Sequence, residues 1–156
     1  PNYWGHVIAN HSLSHNFNLL YPGRIPNQSQ IISEVDQTNA NFQAILGKDF
    51  KTRIFRYPGS HMSWQGLKET DQALAKQDVQ WIDWNMLCGD AEPLSVRPTT
   101  SESMMAYMDD SQKYFPETTV KVVLMHDTAG KELTVQTLPQ IIDYFKNQGY
   151  TFGVLE

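Results

Sequence analysis

The sequence predicts an α/β fold built on a parallel sheet or barrel. Two observations predict it. Short apolar runs alternate with stretches of helical periodicity along the whole chain. Polar and titratable residues follow those runs, and such folds gather functional groups at the carboxyl ends of their strands. The length of 156 residues favours a single domain.

The first expected strand is His6-Val7-Ile8-Ala9, followed by the stretch Asn10-His11-Ser12-Leu13-Ser14-His15. A turn-rich loop, residues 21–27, comes next, with Pro22, Gly23 and Pro26 as breakers. Ile31, Ile32, Val35, Phe42, Ile45 and Leu46 then recur at helical spacing, and Gly47 stops that helix. Residues 53–56 read as the second strand, 65–77 as a polar-faced helix and 79–85 as the third strand. Residues 101–115 carry Met104, Met105, Met108 and Phe115 on an amphipathic pattern, a stripe better explained as core filler than as a binding surface. Residues 120–125 give the best strand, with an apolar run that implies burial on both faces. Val135, Leu138, Ile141, Ile142 and Phe145 define a last helix ended by Gly149, and residues 150–155 read as a closing strand.

Composition narrows the function classes. Apolar residues make up 40% and charged residues 19%, both ordinary for a globular domain. The net charge is −5 with no basic cluster, which argues against a nucleic-acid surface. No run approaches the roughly 18 apolar residues of a membrane helix. Cys88 is the one cysteine, so no internal disulfide forms and no cysteine-based zinc spacing exists. The opening Pro1-Asn2-Tyr3-Trp4 has neither a start methionine nor a basic leader, as expected of a processed product, a trimmed chain or a fragment.

The candidate chemistry lies at four strand ends: His11 and His15, then Arg56, then Asn85 and Asp90, then His126 and Asp127. Histidines four apart on a helical turn share a face and can reach one ion, with Ser12 and Ser14 placed to support the rings. A bare H-x-x-x-H is more often two solvated histidines, and two neutral nitrogens leave a divalent cation short of an anionic ligand. His126, after a buried run, suits a general acid tuned by Asp90 or Asp127. Trp81 and Trp84 read as core or groove wall, His6 as structural or as a support behind a ligand, and His61 as solvated or facing a groove.

Four blocks stand in order: "GHVIANHSLSH" (5–15), "FRYPGS" (55–60), "WNMLCGDA" (84–91) and "VLMHD" (123–127). Together with the tail 137–155 they resemble the NodB-homology polysaccharide deacetylases, carbohydrate esterase family 4, and most of all the bacterial peptidoglycan N-acetylglucosamine deacetylases. The resemblance implies a distorted (β/α) barrel. It implies His11 and His15 as metal ligands for zinc or cobalt, Arg56 as the residue that positions the catalytic base, Asp90 as tuner of the catalytic histidine, and His126 as the catalytic acid. Leu124 would line the acetate pocket. The family commonly has R-P-P-Y where this chain has Arg56-Tyr57-Pro58-Gly59, and the backbone N–H of Gly59 would still hold the carbonyl oxygen. It often has D-W where Asp90-Ala91 stands, which leaves the groove wall to Tyr57, Trp84 or Trp64.

One family motif, T-F-D-D-G, does not occur, and the one Asp-Asp pair, Asp109-Asp110, falls within an expected helix. Residues 1–156 are therefore expected to be the C-terminal portion of a single deacetylase domain, lacking its N-terminal strand or strands, with an N-terminal segment of the same protein as partner. The implied substrate is an N-acetylated glycan and the implied location extracellular or at a bacterial cell surface. The alternatives are a non-catalytic carbohydrate-binding remnant and a deacetylase of xylan or small N-acetyl compounds.

Overall fold

A computed structural model of the chain describes residues 2–3 and 5–155. They divide into two compact units, Pro1–Asp83 with Gly153–Glu156, and Trp84–Phe152.

In the first unit, β1 (Asn2–Tyr3) pairs antiparallel with β2 (His6–Val7). Beyond β2 the chain extends to Asn10, which bridges in parallel to Phe55 of β3 (Ile54–Phe55). β3 in turn pairs in parallel with β4 (Gln80–Trp81). Parallel neighbours need crossovers, and helices supply them. After the four-residue α1 (Phe17–Leu20), α2 (Gln28–Leu46) leads to β3, and α3 (Lys68–Lys76) leads to β4. Asn27 starts α2 by accepting the Gln30 N–H, and Gly47 at φ 104° ends it. Ile31, Val35 and Thr38 turn inward from α2, and Leu74 from α3. Phe55, Tyr57, Leu20, Leu67 and Val79 complete this core. Burying each large apolar side chain contributes about 1.5–3 kcal/mol.

In the second unit, β5 (Met86–Leu87) pairs in parallel with β6 (Val123–Leu124). Between them runs α4 (Ser101–Ser111), started by a reciprocal cap between Thr100 and Ser103. α5 (Glu132–Asn147) follows β6 and packs on α4. Met104 and Met108 are buried with Met86, Cys88, Ile141 and Phe145, so the methionine stripe is core filler.

Several expectations differ from the structure. Residues 79–85 do not form one strand: pairing covers Gln80–Trp81, and a separate strand begins at Met86. Asn85 between them turns its side chain to backbone, donating to Val120 O at 2.7 Å and accepting from Val122 N at 2.8 Å, and so joins the approach to β5 with that to β6. Residues 120–125 are not buried on both faces: Val120 is 72% exposed and Val122 to Met125 are half-buried, because β5 pairs along one side of β6. Residues 150–155 make no ladder among the described residues, and Phe152, Val154 and Leu155 stand exposed. No described helix is long and apolar enough to cross a membrane.

Candidate active site

The histidine pair sits on a turn, not a helix. Ser12 and His15 both take positive φ, 70° and 51°, a costly conformation for residues with a Cβ. Two buried residues hold it there. The Asn10 side chain donates to Val35 O and Asn39 Oδ1 and accepts from Ser12 N. Glu34, projecting from α2 and 2% exposed, accepts from the N–H groups of Leu13 and Ser14, the Ser14 hydroxyl and the Gln30 amide. Burial alone would raise the Glu34 pKa; the hydrogen bonds outweigh it and hold the carboxyl below its usual range. The serines thus serve the loop and not the imidazoles: Ser12 Oγ accepts the backbone N–H of His15, and Ser14 Oγ that of Asn16.

This turn brings the two rings to a centroid distance of 5.1 Å at 66°. His11 Nδ1 lies 2.6 Å from the carbonyl oxygen of Arg56. A carbonyl only accepts, so Nδ1 carries the proton and the ring's lone pair lies on Nε2.

The next loop, after β3, carries Arg56 to His61. Arg56 is half-buried; burial lowers its pKa, and the charge of Asp83 works against that shift. Tyr57 was a candidate for the substrate groove, and the structure corrects this. It is 0% exposed, packed with Phe55 in the core, and donates its hydroxyl to Asp71 Oδ1 at 2.8 Å. Burial, then the bond to Asp71, pushes its pKa far above the ordinary phenol range. His61 is not simply solvated either. Its Nε2 lies 3.0 Å from Asp71 Oδ2, and its ring stacks on Trp81 at 3.7 Å. Asp71 therefore ties both ends of the loop to α3. Between them Gly59 is exposed at φ 77°, and Trp64 donates Nε1–H to Pro58 O at 2.8 Å.

The second unit holds the other titratable pair. Asp90 is 3% exposed and accepts from both His126 Nδ1–H and His126 N, each at 2.8 Å. Thr134 from α5 donates to the same carboxylate, and Lys131 donates to the Asp90 backbone carbonyl. Burial would raise the Asp90 pKa, but the bonds and charge from His126, with Thr134, bring it below normal. Asp127, the other candidate partner, is exposed. Gly89 precedes Asp90 at φ 81°, and a Cβ there would meet Tyr107 at 2.8 Å, so glycine is required for the carboxylate to arrive in place. Leu124 and Trp84 are half-buried near the pair in sequence and strand order, Leu124 on β6 two residues before His126. Burial pushes the Cys88 thiol up to about 11, so it is no nucleophile.

A family model described as polysaccharide deacetylase matches residues 2–81, half of the chain, and includes the histidine pair and Arg56. The chain belongs to the polysaccharide deacetylase family. Among solved structures, a CE4 esterase of Streptococcus mutans is 52% identical with a TM-score of 0.95, over 98% of this chain and 64% of that one. The catalytic domain of a peptidoglycan N-acetylglucosamine deacetylase from Eubacterium rectale is 27% identical with a TM-score of 0.75, over 97% of this chain and 66% of that one. The Bacillus subtilis protein YheN, named as a polysaccharide deacetylase, is 28% identical over 153 residues, 97% of this chain. The chain spans about half of YheN, 49% of its length. The NodB-type α/β fold expected from the motifs is the fold of these structures.

The family is generally metal-dependent, and the donors present suit two positions of such a site. Two imidazoles are borderline donors fit for zinc and its first-row neighbours, and the Arg56 carbonyl supplies the outer hydrogen bond that fixes a ligand's tautomer. Among the described residues no three His, Cys, Asp or Glu side chains gather to complete it. Three structural residues escaped the sequence reading: Asn10, Glu34 and Asp71. The Glu34 signal was available, since a lone carboxylate beside Ile31 and Val35 on the inward face of α2 calls for partners.

Proposed function

We propose that this chain carries part of the machinery of a metal-dependent hydrolase that removes acetyl groups from N-acetylglucosamine residues in peptidoglycan or a related polysaccharide. The observation that carries the reading is the His126–Asp90 pair, a histidine oriented by a buried carboxylate in a member of this family.

His11 and His15 would hold a divalent cation, zinc before cobalt, and a preceding segment of the same protein would contribute the carboxylates for its third position and for the catalytic base. A cation bound there would supply polarisation of the acetamide carbonyl and a lowered pKa for the attacking water. Arg56 would orient the base that takes the water's proton. The Gly59 N–H would receive the developing oxyanion; one such donor is worth about 2.7–4 kcal/mol. His126, with Nδ1–H engaged by Asp90, would deliver its Nε2 proton to the leaving amine, giving glucosamine and acetate. Leu124 and Trp84 would border the acetyl and sugar groups. Because peptidoglycan lies outside the membrane, we place the protein at or beyond the bacterial cell surface.

The test is acetate release from an N-acetylglucosamine tetramer by the full protein with zinc. Release that falls at least ~100-fold in His126→Gln is expected. No release, or equal release by the variant, contradicts the reading. Release from acetylated xylan alone moves the substrate to xylan.

A further inference from the structure

Phe17 opens α1, two residues after His15, and is 43% exposed. A large apolar ring at the surface beside a candidate metal ligand calls for a reason. Its ring lies 5.3 Å from the His15 ring and 5.3 Å from that of Trp64, edge-to-face with the latter.

Trp64 is itself immobilised. It stacks on Tyr21 at 3.9 Å and 10°, and donates Nε1–H to Pro58 O. The Arg24 guanidinium carbon sits 5.6 Å from its ring, and Arg24 is tied to Ser63 O at 2.7 Å. Phe17, which also meets Tyr21 at 6.3 Å and 62°, therefore rests on a rigid support while 43% of it stays exposed. Both rings also border Gly59: a Cβ built there would meet Trp64 at 2.9 Å and Phe17 at 3.3 Å. No side chain at position 59 could share that space, so the two aromatic rings lie directly against Gly59.

A pyranose ring has a face of C–H bonds with partial positive charge, and an aromatic face is negative. A rigid, exposed ring costs little conformational entropy to use. We infer that Phe17, backed by Trp64, is a sugar-stacking shelf that positions the N-acetylglucosamine residue beside His15 and Gly59. This rests on the deacetylase reading and names the residue that recognises the sugar ring.

The experiment is calorimetric titration of the full protein with the N-acetylglucosamine tetramer, alongside acetate release. Phe17→Leu retains apolar packing against Trp64 and removes the aromatic face. It should weaken tetramer binding by about tenfold with the melting temperature unchanged, and Phe17→Tyr should restore binding. Equal binding by Phe17→Leu and wild type, or no tetramer binding to wild type, overturns the shelf. Binding that depends on Phe17 without acetate release sinks the deacetylase reading and supports the shelf.

Discussion

The two histidine sites of this chain are built by opposite means. His11 is held by a neutral partner, the Arg56 carbonyl, while the buried carboxylate of its neighbourhood, Glu34, grips the loop backbone. His126 is held directly by a buried carboxylate, Asp90, through both ring and backbone. A carbonyl orients an imidazole and fixes its tautomer, which suits the cation ligand proposed for His11. A buried carboxylate fixes the ring with Nδ1–H turned toward it and leaves Nε2 as the outward nitrogen. On the proposed function, these two partners match the two tasks, cation ligand for His11 and proton donor for His126.

The largest way to break this contrast is at Asp90. Asp90→Asn should lower acetate release about 100-fold or more in the full protein while zinc affinity, read by chelator competition, is retained. Equal loss of zinc affinity would erase the distinction between the sites. The next effect is at Glu34. Glu34→Gln leaves the loop amides of Leu13 and Ser14 a weaker acceptor, and zinc affinity should fall roughly tenfold. Unchanged affinity would mean that Glu34 supports the fold and not the ligands.

These two sites were unequally legible in the sequence. The approach of His11 to His15 and the pairing of His126 with Asp90 were readable as candidates because the identities of these residues and their places after strands are local facts. Glu34 lies 20 and 21 residues from the amides it holds, and nothing in the motif names it. Tyr57 was misread for a related reason: in R-Y-P-G it neighbours functional positions, yet its ring turns into the core and finds Asp71 fourteen residues away. Helix limits at Gly47 and near Gly149 were readable from breaker chemistry, whereas the strands of residues 120–125 and 150–155 were overextended. An apolar run marks a strand, but its length is set by the partner ladder.

Smaller effects sharpen the comparison further. Asp71 binds Tyr57 and His61 at once, so Asp71→Asn should cost about 1–3 kcal/mol, visible as a lowered denaturant midpoint. No change would show that the loop is held by Trp64 and Pro58 alone. The smallest effect is in acid. The native pKa of Asp90 is below its unfolded value, so its contribution is present above about pH 4 and is lost as pH falls through the native value. Melting temperature should therefore drop less between neutral pH and pH 3 in Asp90→Asn than in wild type. Parallel curves would mean that the His126–Asp90 bonds carry no net stabilisation.

The division of labour is tested most directly by the zinc content of the dialysed full protein, measured by atomic emission. About one zinc per chain is expected in wild type and in His126→Ala, and none in the His11→Ala, His15→Ala double variant. Zinc retained by the double variant, or lost from His126→Ala, would contradict the assignment of the two sites.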